Sequence, residues 1–128
     1  MTATFANQAD TFQATLMSLF AGNPHDTEAD LSKVFTPSFT QRDDDTTRDF
    51  AGFVKHMKWL RENLPAGSVQ LTITQFLRDG AHLAERHNST LTKPDGTVSA
   101  AETFLFAEVA EDGRIAWVVE TVKHRQGD

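Results

Sequence analysis

The sequence predicts an α+β fold: three N-terminal helices packed on a curved four-stranded antiparallel meander with a short extra strand. Three observations carry this reading. Apolar residues of the first half recur at helical spacing, those of the second half alternate, and Asp79-Gly80, Asp95-Gly96 and Asp112-Gly113 punctuate the alternating half. A type I′ turn needs positive φ at both central positions, which Asp-Gly tolerates, so each pair reads as a hairpin. Three hairpins join four strands, and helices followed by strands point to segregated layers.

Phe5, Ala9, Phe12, Leu16 and Leu19 form one helical stripe, which Gly22-Asn23-Pro24 closes. A second helix fits Glu28 to Val34, with Thr27 as its N-cap and Leu31, Val34 and Phe35 facing inward. The stretch from Thr36 to Gln41 is too short and broken for a helix and reads as the extra strand. Asp43-Asp44-Asp45 reads as a solvated turn leading to a helix N-terminus, where negative charge is favourable. The third helix starts near Thr47, repeats Phe50, Phe53, Met57, Leu60 and Leu64, and stops at Pro65-Ala66-Gly67. The long strands are expected at 68–78, 81–94, 97–111 and 114–124. No repeat or linker interrupts the chain, so residues 1–128 read as a single domain.

Composition narrows the function. The chain has 128 residues, a formal charge of −6 and no Cys. The acidic balance disfavours a nucleic-acid or anionic-membrane surface. Without Cys there are no disulfides, thiolate metal sites or cysteine nucleophiles. The start MTATFANQAD lacks the basic and apolar regions of a signal peptide, and no apolar run nears the ~18 residues of a membrane span. The expectation is a cytoplasmic protein. The five His show no metal-ligand spacing, and no phosphate-binding loop or dinucleotide fingerprint occurs, so neither metal nor cofactor is expected.

Two-residue turns would set the register of the meander. One face then carries the rows Leu77–His82–Val109–Ala116, Gln75–Ala84–Ala107–Val118, Ile73–Arg86–Leu105–Glu120 and Leu71–Asn88–Thr103–Val122. The apolar members assign this face to the helices, yet Gln75, His82, Arg86, Asn88 and Glu120 share it. Arg86 and Glu120 fall in one row, ~10 Å apart at the backbone, which a long Arg can bridge. The two read either as a structural ion pair within the sheet or as part of the polar lining of an apolar pocket. The opposite face carries Phe76, Leu83, Phe104, Phe106, Trp117 and Val119. That contiguous apolar surface predicts a homodimer, sheet against sheet.

Three stretches carry a family resemblance: Phe35-Thr36-Pro37-Ser38-Phe39-Thr40-Gln41, Leu83-Ala84-Glu85-Arg86-His87-Asn88, and Asp112-Gly113-Arg114-Ile115 leading to Glu120. In order and spacing the chain resembles the nuclear transport factor 2-like superfamily, in its SnoaL-like and limonene epoxide hydrolase-like branch. The resemblance implies a cone with an apolar pocket between sheet and helices, a small apolar ligand, and dimers formed through the sheet. Matched motif by motif, the epoxide hydrolase Arg falls on Arg86, its two Asp on Asn88 and Glu120, and its Tyr and Asn on Phe39 and Gln41. Asn88 lacks the acid and Phe39 the hydroxyl of that mechanism. The chain contains no Tyr at all, which removes the phenol of ketosteroid isomerases and scytalone dehydratase.

The remaining set suits proton abstraction beside a carbonyl, as an isomerase, cyclase or lyase. Glu120 would be the base, and Arg86 and Asn88 would stabilise the oxyanion. Phe39, Gln41, Gln75, His82, Thr103, Leu105 and Val118 would line the ligand site. A non-catalytic binding or assembly module on the same cone, or a divergent epoxide hydrolase, is the alternative.

Overall fold

The computed structural model describes residues 2–125. Helix α1 spans Ala9–Ser18, α2 Thr27–Ser32 and α3 Phe50–Asn63, with single 3-10 turns at Phe5–Asn7 and Pro24–Asp26. The strands are β1 (Phe35–Asp43), β2 (Thr46–Asp49), β3 (Val69–Asp79), β4 (His82–Thr92), β5 (Val98–Val109) and β6 (Ile115–Arg125). They form one sheet in the order β2-β1-β6-β5-β4-β3, antiparallel except where β1 runs parallel to β6.

The α+β class, the three helices and the meander stand as the sequence predicts, and β1 is the extra strand. Thr27, however, is the first residue of α2 instead of its N-cap, its hydroxyl donating to the Pro24 carbonyl at 2.7 Å. Strand β2 is an addition. Asp44 adopts a positive φ of 53°, and the chain folds back there so that Arg48 pairs with Gln41. The acidic run therefore closes a hairpin instead of leading straight into a helix. Helix α3 begins only at Phe50, with the Asp49 carboxylate accepting from the Gly52 N–H at 2.8 Å.

The helices pack on one face of the curled sheet. Phe12, Leu31, Phe39, Leu83 and Ile115 are buried to within 1% of full occlusion, and the rings of Phe35, Phe39 and Phe53 meet at 4.3 to 5.3 Å. Helix α1 docks on the edge strand β3. There Phe12 meets Phe76 at 5.9 Å, and the Gln13 side chain accepts from the Ile73 N–H at 2.8 Å. No helix among the described residues is long and apolar enough to cross a membrane.

Three turns decide which side chains reach the helices. In the first, Gly80-Ala81 is the two-residue loop, Asp79 pairs with His82, and a bulge lies between Ile73 and Gln75. Phe76 thereby turns inward and Leu77 outward, where it is 71% exposed. In the second, Pro94-Asp95-Gly96 makes a three-residue loop. The Gly96 N–H donates to the Lys93 carbonyl at 2.9 Å, and Gly96 takes a φ of 90°. This is a type I turn followed by a left-handed glycine. The extra loop residue slips β4 by one position against β5 and turns all its side chains over.

Leu83, Glu85 and His87 consequently face the helices, while His82, Ala84, Arg86 and Asn88 face away. In the third turn, Glu111-Asp112-Gly113 builds the same kind of loop, but a bulge beyond Glu108 restores the expected pairs, Leu105 with Glu120 and Phe106 with Val119. The outer patch expected from the sequence changes accordingly. Phe76 and Leu83 belong to the interior, whereas Phe104, Phe106, Trp117 and Val119 stay outside and are joined by Leu77.

Candidate functional site

A cavity of about 190 Å³ lies between the helices and the inner face of the sheet. Its walls are mostly apolar, with Phe12 and Leu16 from α1, Phe53 and Met57 from α3, Phe39 from β1 and Leu105 from β5. Five polar side chains enter it: Gln41, Asp43, His56, His87 and Glu120. The parallel pairing of β1 with β6 sets Gln41 beside Val118 and Asp43 beside Glu120.

Glu120 is the most perturbed group. Burial pushes its carboxyl up from 4.5 to about 7. The Gln41 amide opposes this by donating to the carboxylate, Asp43 adds to it by charge repulsion, and His87 and Glu85 make smaller, opposed contributions. Gln41 Nε2 lies 3.4 Å from Glu120 Oε2, while Gln41 Oε1 accepts from Arg48 Nη1 at 3.0 Å. On the α3 wall, burial and then the nearby Arg48 push the His56 imidazole below its ordinary 6.5, and Asp43 works the other way.

On β4, His87 Nδ1 lies 2.8 and 2.7 Å from the two carboxylate oxygens of Glu85. Their side chains are 8% and 0% exposed. Two-residue turns would place this pair on the outer face; the one-residue slip of β4 against β5 brings it inside. Pro94 ahead of Asp95-Gly96 was the available signal, because Pro suits the first position of a type I turn and so favours the three-residue loop.

Five of the ten residues expected at the site line the cavity: Phe39, Gln41, Leu105, Val118 and Glu120. Thr103 is buried on the inner face, paired with His87, without reaching the cavity. Gln75, His82, Arg86 and Asn88 lie on the outer face, for the register reasons above. Arg86 sits 6.0 Å over the Phe104 ring, with its Nε 3.8 Å from Glu102, and Asn88 accepts from Arg125 at 3.0 Å. The expected contact between Arg86 and Glu120 is absent because the sheet separates them. Among the described residues, no group of three His, Asp or Glu converges as a metal site would.

No protein-family model matches the chain, and no curated protein matches it. Solved structures do. A proposed isomerase of the SnoaL-like family from Agrobacterium tumefaciens str. C58 superimposes with a TM-score of 0.66 at 16% identity, covering 91% of this chain and 98% of its own. The chain has the nuclear transport factor 2-like fold. A proposed SnoaL-like polyketide cyclase from Jannaschia sp. CCS1 matches this chain with a TM-score of 0.63 at 12% identity, over 95% of this chain and 90% of that one. A nuclear transport factor 2-like protein of unknown function from Exiguobacterium sp. 255-15 gives 0.65 at 13%, over 89% and 98%. Of the residues matched to the epoxide hydrolase, the cavity holds Phe39, Gln41 and Glu120. Where that enzyme sets Arg and Asp two apart on one strand, the inward pair here is Glu85 and His87, one residue earlier.

Proposed function

We propose that the cavity binds a compact apolar carbonyl compound and moves a proton on it, as an isomerase, cyclase or lyase, with Glu120 as the general base. One observation carries the reading: a carboxyl held near pH 7 inside an apolar cavity. Such a group is part carboxylate and part acid at neutral pH, so it can both take a proton and return it. The size of the ligand follows from the cavity. A dry void of roughly 150 Å³ holds benzene, so about 190 Å³ suits a ring system of one to two small rings. The oxyanion role expected of Arg86 and Asn88 is dropped, because both face away from the cavity. Likeness to structures named as an isomerase and a cyclase agrees with the reading by analogy of fold.

The test is wash-in of solvent deuterium beside the carbonyl of 1-indanone, followed by NMR. Wild type should exchange the label faster than buffer, and Glu120→Gln should lose ~100-fold or more of that rate while remaining folded. Full activity in Glu120→Gln refutes the assignment. A non-catalytic binding module is the second reading, favoured by a chain without Tyr. Binding of 1-indanone without exchange would select it.

A further inference from the structure

Glu85 and His87 have no part in the reaction just proposed, yet both are carried into the interior. Carboxylates are seldom fully buried unless paired. Glu85 has one partner among the described residues, His87, whose Nδ1 lies within 2.8 Å of both its oxygens. That contact fixes the ring. With Nδ1 committed to Glu85, Nε2 is the nitrogen left for chemistry, and it makes no hydrogen bond among the described residues. His87 lines the same cavity as Glu120. Glu85 and Glu120 flank Leu105 in one row of the sheet, and His87 stands in the next. Two strand spacings put about 10 Å between the β4 and β6 backbones. Side chains reaching inward from both strands narrow that gap to the span of a small ligand.

We infer that His87, held in place by Glu85, is a second proton-transfer group of this cavity, serving the substrate's oxygen while Glu120 serves its carbon. The inference rests on the proton-transfer reading of Glu120. With Nδ1 donating to Glu85, Nε2 carries a proton when the ring is an imidazolium and a lone pair when it is neutral. Glu120 takes a proton from the carbon beside the carbonyl. The C–H electron pair becomes a C=C bond, the carbonyl π pair moves to oxygen, and oxygen takes the Nε2 proton. The products of this step are an enol, a neutral His87 and a protonated Glu120. Reversal at the other face of that carbon, or at a conjugated carbon, returns both protons and consumes no co-reactant. The substrate class is an uncharged ketone with an acidic α-hydrogen on a compact apolar frame. His87 is then a catalytic residue and Glu85 a positioning residue.

The test follows 1-indanone exchange in the full chain. His87→Asn should lower kcat by ~100-fold or more with KM little changed. Glu85→Gln, whose amide oxygen still accepts from Nδ1, should lower kcat by less, again without moving KM. Should His87→Asn fail to fold, the imidazole ¹⁵N spectrum of wild type replaces it: 1-indanone must move the His87 Nε2 resonance more than Nδ1. An unchanged kcat in His87→Asn, or an Nε2 resonance blind to the ligand, overturns the inference. Loss of exchange in Glu120→Gln beside either result leaves the Glu120 reading intact. Exchange that survives Glu120→Gln overturns the Glu120 reading and, with it, the division of roles inferred for His87. A wild type that leaves 1-indanone unlabelled overturns both.

Discussion

Arg48 Nη1 donates to Gln41 Oε1 at 3.0 Å, and this bond sets which end of the Gln41 amide meets Glu120. An amide is nearly symmetric in shape, but a guanidinium accepts only its oxygen as a partner. The NH₂ group is left to face Glu120 Oε2 at 3.4 Å. Strand β2, folded back at Asp44, brings Arg48 to this place opposite Gln41.

Gln41→Leu should therefore move the Glu120 titration further up, because it removes a donor that favours the carboxylate. Arg48→Met should act in the same direction more weakly, since the freed amide can turn its oxygen toward the carboxyl. Carboxyl ¹³C shifts followed against pH report both. A downward move in Gln41→Leu contradicts the relay.

Stability should depend on pH through the same group. Glu120 titrates at about 7 in the folded chain, against an ordinary 4.5. Between those values the folded state keeps a proton that the unfolded state has released. Stability must then fall as pH rises from 4.5 to 7. Above 7 the full cost of the buried charge is present, on the order of 3 kcal/mol, and below 4.5 it vanishes. Glu120→Gln should raise Tm by on the order of 10 °C at pH 8 and barely change it at pH 4.5. Calorimetry giving equal shifts at both pH values rules this out.

Legibility in the sequence followed the size of the signal. Period and turn residues suffice for helices and a meander, because many residues vote for each element. The site depends on single-residue register, where one extra loop residue at Pro94-Asp95-Gly96 reverses a whole strand. Leu105, Val118 and Glu120 keep their inward places because the three-residue loop at Glu111-Asp112-Gly113 and the bulge beside it cancel. Arg86 and Asn88 lost theirs for want of such a cancellation on β4. Strand β2 was illegible because its four residues, Thr46–Asp49, carry no apolar alternation.

The outer face of the sheet is the surface we propose to join two copies of the chain. Leu77, Phe104, Phe106 and Val119 are all at least 36% exposed there. Arg86 Nε, on the same face, is occluded without a hydrogen-bond partner, and Glu102 and Glu108 flank the strip. Both charge signs on one apolar patch suit a two-fold, self-complementary contact of ~800 Å² per copy. Sedimentation at micromolar concentration should give about twice the chain mass, and Leu77→Glu with Phe106→Glu should halve it. A monomeric wild type removes the proposal.

Arg61 holds the helices together, and its loss should be the costliest of the substitutions considered. Its side chain is 1% exposed on α3. Nε donates to the Leu19 carbonyl at 2.9 Å, and Nη1 to the Asn23 carbonyl at 3.1 Å and to Asp30 at 3.0 Å. One planar group thus satisfies acceptors in the connection after α1 and on α2. Arg61→Ala strands them and opens a void, at a cost of about 3 kcal/mol. Arg61→Lys should recover little, because a single ammonium lacks the fork that reaches separated acceptors. Gly22 tests the geometry from the other side. A Cβ there would fall 2.7 Å from the guanidinium carbon of Arg61. Long side chains usually swing aside from such a contact, but this one is held by three partners. Gly22→Ala should therefore destabilise the wild type yet cost much less in the Arg61→Ala background, a coupling that urea unfolding of the double-mutant cycle measures directly. Additive losses would mean that the guanidinium is free to move, and that the clamp is weaker than its three bonds imply.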